Sequence, residues 1–168
     1  MTFTETLFSK TKSFHMQVDK HQFTYLIKNN KKAGDLYIDF NKLCIHNIFK
    51  TLLIKDKILA NKIKKEFICP NINISNKLDL LLLKCQELPL EHSYMFILGL
   101  VSGGNLLKKY ISIQHHPFLT FEKGLAQEFK HYLNNNSDID KELFIENVIH
   151  SYILIKEIFD EFKDNQFN

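Results

Sequence analysis

Apolar residues recur at intervals of three and four along most of this chain, with polar residues between them. That is the period of amphipathic helices rather than strands. Leu7, Thr11, Phe14, Val18 and Phe23 form the first stripe and predict a helix over residues 4–26. After a polar break at 29–32, Gly34 opens a second stripe. Leu36, Phe40, Leu43, Ile48 and Leu52 predict its helix over 35–53, with Asp35 as candidate cap. A shorter helix with a Lys-rich outer face is expected over 56–67, ended by Pro70. Ser75 is placed to cap a fourth that reaches about residue 86. A glycine-bearing helix follows over 91–113. His115, His116 and Pro117 then make a turn before a helix over 118–133. Ser137 or Asp138 caps the last helix, whose apolar positions run from Ile145 to Phe162, and residues 163–168 are expected to fray. No segment alternates like a strand, and only five Gly and three Pro interrupt 168 residues. The reading is all-α: one domain over residues 1–168, with about six to seven helices around a single core.

Composition narrows the class without naming a function. At 45% apolar and 24% charged residues the chain is an ordinary globular one. All 22 basic residues are Lys, yet the net charge is only +3 and no Lys run exceeds a pair, which argues against nucleic acid as partner. Cys44, Cys69 and Cys85 are odd in number and show no CxxC spacing, so reduced thiols are expected rather than disulfides or a zinc site. The first 15 residues lack the apolar run of a signal peptide. The uncharged stretch 93–107 is too short for a membrane span. A soluble, cytoplasmic monomer is the expectation.

That uncharged stretch, SYMFILGLVSGGNLL, carries Gly99, Gly103 and Gly104 inside a helical run. Each glycine costs a helix interior roughly 1 kcal/mol against alanine, so something must offset them. Gly99 and Gly103 are four apart and share a face. Two readings stay open: close packing of another helix, or a flat ligand lying on bare backbone. Among eight histidines, His15 has distinctive company, with Asp19 one turn later and Lys12 just under one turn earlier. The three form either an exposed polar face or an iron-ligating imidazole steadied by a carboxylate. His115 and His116 are adjacent and chelate poorly. Glu128 and His131 make a single Glu-x-x-His step, where a di-iron bundle needs two. Neither a P-loop, a dinucleotide fingerprint nor a G-x-S-x-G elbow is present.

Two stretches together resemble the haem oxygenase family. KTKSFHMQVDKHQF, residues 10–23, is similar to the family's proximal helix, and HSYMFILGLVSGGNLLKKY, residues 92–110, to its distal helix. FIENVIHSYILIKEIFDEF is similar in pattern to the closing helix, whereas residues 55–90 match weakly. The resemblance implies a haem-oxygenase-like bundle that sandwiches haem b between the two helices. It implies His15 as axial ligand to the iron and Gly99 and Gly103 as the distal floor. Asp19 would hold the imidazole, and Lys12, Tyr94 and Lys130 would meet the propionates. The implied activity is oxidation of haem to biliverdin, carbon monoxide and iron, with oxygen and an electron donor such as a ferredoxin or a reductase.

One position departs from the family pattern. Leu100 stands where the family commonly has an Asp that anchors a proton-delivering water network, and leucine has no hydrogen-bonding atom. Ser102 and Asn105 are the nearest polar alternatives on that helix. The departure adds a second expectation, a haem-binding protein of the same fold with little turnover. A third is a helical interaction domain without haem, which would use the Lys-rich face over 55–65.

Overall fold

The computed structural model describes residues 1–164, and these contain helices and turns without a strand. The helices are α1 (Phe3–Asp19), α2 (Gln22–Leu26), α3 (Lys31–Lys55), α4 (Lys57–Ile63), α5 (Asn76–Glu87), α6 (Pro89–Ser93), α7 (Gly99–Leu107), α8 (Leu125–Asn134) and α9 (Lys141–Asp164). A π-turn, Tyr94–Leu98, joins α6 to α7 without a break. The described residues therefore form eight continuous α-helical segments, of which α2 and α4 have only five and seven residues, and a 3-10 turn at Ile113–His115. The all-α expectation is met. No helix among the described residues is long and apolar enough to cross a membrane.

Several boundaries differ from the periodicity reading, each for a local reason. The first helix stops at Asp19 instead of running to residue 26. His21 takes an extended conformation, and its Nδ1 accepts the Phe23 backbone N–H at 2.9 Å, capping a new helix. Its other nitrogen, Nε2, therefore carries the proton and donates to Asp160 at 2.6 Å. The second long helix starts four residues early because the Asn30 side chain accepts from Ala33 N–H. Asp35 is not a cap; it pairs with Lys31 at 3.8 Å and with His115 at 3.1 Å. Asp56 is itself the cap of α4, which ends at Ile63, and Ser75 caps α5 as expected. The glycine-bearing segment ends at Leu107, short of residue 113. Residues 118–124 are turns and irregular backbone, with Gly124 at φ +88° ahead of α8. Asp140, not Ser137 or Asp138, caps α9 through Leu143 N–H. Of the expected frayed tail, Lys163 and Asp164 continue α9, and 165–168 lie outside the described residues.

The packing has two layers of paired helices. α1 lies along α9 and α3 along α5, while α5 also meets α9 and ties the pairs together. α6 and the π-turn rest on α3, and α8 braces the start of α1. A knot of phenylalanines joins the elements: Phe23 lies 5.0 Å from Phe159, Phe40 5.5 Å from Phe159, and Phe40 5.8 Å from Phe96. Each such pair contributes about 0.5–1.5 kcal/mol beyond its buried area. These rings are the floor on which the candidate site is built. Cys44 and Cys85, distant in sequence, also meet in the core; both are free thiols, and Cys44 is pushed up first by burial and then by Cys85.

Candidate functional site

A cleft of about 590 Å³ opens between α1, α3, the π-turn with α7, and α9. That volume lies within the usual range of small-molecule sites. α1 and α7 both line it without packing along each other, so the space between them is the cleft itself. His15, Asp19, Tyr94, Gly99, Leu100, Ser102, Gly103 and Lys130 all border it. Lys12 does not. It is exposed on α1, with its ammonium 5.9 Å from the ring centre of Phe8, which does line the cleft. Asn105 is likewise outside the lining.

On the α1 wall, the His15 ring sits 5.2 Å from the ring of Tyr152 and nearly parallel to it, at 15°. Its Nε2 faces Asp19 Oδ2 at 3.3 Å. The one-turn spacing seen in the sequence thus produces the imidazole–carboxylate contact, and Nδ1 is left without a protein partner among the described residues. Three phenols surround this pair. Burial raises the Tyr152 hydroxyl, helped by Tyr94 and by the charge of Asp19. Burial also raises Tyr94, partly offset by the neighbouring Thr11 hydroxyl. Tyr37 is pushed up to about 12 by burial and then by Asp19, with Asn41 opposing the shift. All three remain protonated hydrogen-bond donors at neutral pH.

The opposite wall is bare backbone. A Cβ built on Gly99 or on Gly103 meets no atom within 4 Å, so both Cα positions look into the open cleft. Gly104 is different: its Cβ would stand 2.6 Å from the Leu119 backbone oxygen. The two readings of the glycine run therefore divide between residues. Gly104 serves close packing, and Gly99 and Gly103 leave a surface with no Cβ to hold a flat molecule off. The π-turn comes just before Gly99; such insertions are rare and favour functional sites. Leu100 is 2% exposed and adds only hydrocarbon to the lining.

Chemically the cleft offers one ring nitrogen, a smooth apolar floor, neutral phenols and lysines at its rim. No three His, Cys, Asp or Glu side chains converge into a metal site among the described residues. A ligand that brings most of its own coordination fits this donor set, because a porphyrin supplies four nitrogens and asks for one imidazole. A serine–histidine hydrogen bond does exist, Ser151 Oγ to His92 Nε2 at 2.9 Å, but both residues are fully buried and outside the cleft. His115 and His116 go to separate partners, Asp35 and the Ile111 carbonyl. His131 of the Glu-x-x-His step contacts Asn135.

Tyr152, Tyr37, Asn41 and Lys28 line the cleft and were not read as site residues from the sequence. The only signal for Tyr37 and Asn41 was a polar pair four apart beside Phe40. Tyr152 lay hidden in an apolar stripe. The chain matches no protein-family model, and no curated protein sequence matches it.

Proposed function

We propose that the cleft binds haem and that the protein is a haem oxygenase producing biliverdin, carbon monoxide and iron. The observation that carries this reading is the pairing of His15 with the open Cα surface of Gly99 and Gly103 across one cleft. It is supported by the two motif stretches that resemble the family's proximal and distal helices, which fold here onto opposite walls.

When bound, the haem supplies an iron that takes up and activates oxygen with electrons from a ferredoxin or a reductase. The chain's own residues do the rest. His15 would hold the iron through its imidazole, and Asp19, 3.3 Å from one ring nitrogen, is placed to steady the ring. Tyr152 stacks on the imidazole and limits its rotation. Gly99 and Gly103 admit the ring close to the α7 backbone, where the helix excludes other directions of approach. Tyr94, Lys130 and Lys28 line the cleft and are the groups available to the ligand's carboxylates. Leu100 neither gives nor takes a proton, so proton supply falls to water held by backbone carbonyls.

Haemin-loaded protein given reduced ferredoxin, or ascorbate, should convert its Soret band into a biliverdin spectrum. A persistent Soret band, or bleaching without a bilin, would sink the enzymatic reading. It would leave the second one, a haem carrier or sensor of the same fold, which the burial of Leu100 in the lining favours.

A further inference from the structure

Lys28 stands at the end of the cleft away from Lys130. α8 braces the start of α1, where Thr4 N–H donates to Asn134 Oδ1 at 2.9 Å, so Lys130, one turn earlier on α8, belongs to that end. α1 then runs 17 residues, about 25 Å, before the chain turns through α2 to Lys28. There the Lys28 ammonium lies 5.8 Å from the ring centre of Tyr25 and 5.6 Å from that of Tyr110. Tyr25 comes from α2 and Tyr110 from the turn after α7, so the cation bridges the two sides of the cleft mouth.

A second, polar pocket of about 160 Å³ adjoins this end and shares Ile27, Lys28 and Tyr110 with the cleft. Lys31 and Asp35 also line it, and Asp35 is already engaged by Lys31 and His115. An apolar cleft that ends in a small polar chamber with a lysine at the junction suits a flat ring with acidic groups on one edge. Lys28, though exposed like Lys130, lies against two rings before any ligand arrives, so it loses less side-chain freedom on binding than Lys130, for which no hydrogen bond, ion pair or ring contact is present among the described residues.

We propose that Lys28, rather than Lys130, is the principal anchor for the carboxylate edge of the cleft's ligand, which enters the chamber beside Tyr110. This rests on the haem reading of the cleft. Titrations of the full chain with haemin and with haemin dimethyl ester test it. Lys28→Gln should weaken haemin roughly fivefold, the size of a good rim ion pair, and leave the ester unchanged. Lys28→Arg should retain haemin, and Lys130→Gln should lose less than Lys28→Gln. Haemin bound equally well by wild type and Lys28→Gln, or an equal loss for the ester, would overturn the anchor while the haem reading stands. Wild-type protein that binds neither compound would overturn both.

Discussion

His15 gains its character from contacts that its neighbours in sequence supply only in part. Asp19 was legible because a one-turn spacing puts two side chains on one face. Tyr152 was not, because it reaches His15 from a helix more than a hundred residues away. Tyr152→Leu should therefore leave haemin binding in place but broaden or shift the ligand-field spectrum, while Tyr152→Phe, which keeps the ring, should not; identical spectra for both variants would contradict the stacking role. Leu100 sets a second residue-scale prediction. Leu100→Asp puts a carboxylate into a lining position that is 2% exposed, so it should lower the thermal midpoint and raise single-turnover bilin formation. Unchanged turnover with haem still bound would show that protons reach the site through other groups.

His92 gives the pH dependence at the same scale. Its Nδ1–H donates to the Leu88 carbonyl at 2.7 Å, and Ser151 donates to its Nε2, so the neutral ring is fully satisfied and has no room for a second proton. Burial lowers its pKa from 6.5 to about 4, with the Leu88 bond opposing and Lys84 adding slightly to the shift. Between those values the unfolded chain binds a proton that the folded chain refuses. The stabilisation is complete above pH 6.5, is lost as pH falls toward 4, and changes no further below that. The expected loss is about 3 kcal/mol. Denaturant unfolding at pH 7, 5.5 and 4 should show it in wild type, and His92→Gln should flatten that part of the profile. Parallel profiles for the two proteins would contradict it.

Among the elements, the segment from α6 through the π-turn to α7 decides the most. The sequence showed that its glycines needed compensation but not which neighbour each one served. That depended on where the 118–124 turns come to rest, and those were expected to be helical. The structure separates them by a substitution test. Gly103→Ala should raise stability by about 1 kcal/mol, since its Cβ meets nothing and alanine favours the helix. Gly104→Ala should lower it by about 1–3 kcal/mol, because a backbone oxygen 2.6 Å away cannot step aside as a side chain could. Thermal midpoints moving in the same direction would contradict the division. The first helix was overread for a related reason: apolar spacing continues through Phe23, and the His21 cap that breaks it depends on Asp160 far along the chain.

At the scale of the molecule, helical periodicity was enough to recover the all-α class and much of the buried face of α1, α3 and α9, because it follows from which face each helix must bury. The cleft was only half legible. Residues brought to it by α1 and α7 carry local patterns, whereas Lys28, Tyr37, Asn41 and Tyr152 reach it through the way α2, α3 and α9 meet on the phenylalanine knot. That knot also explains why the site sits at one place in the bundle: Phe23, Phe40, Phe96 and Phe159 fix four elements to one another and leave α1 and α7 apart. The central claim is that this gap holds a haem on His15, and a haemin titration of the wild type beside His15→Ala tests it most directly. A saturable Soret spectrum of a histidine-ligated haem is predicted for the wild type, lost or shifted in His15→Ala. No spectral change in the wild type, or the same spectrum in both proteins, would contradict it.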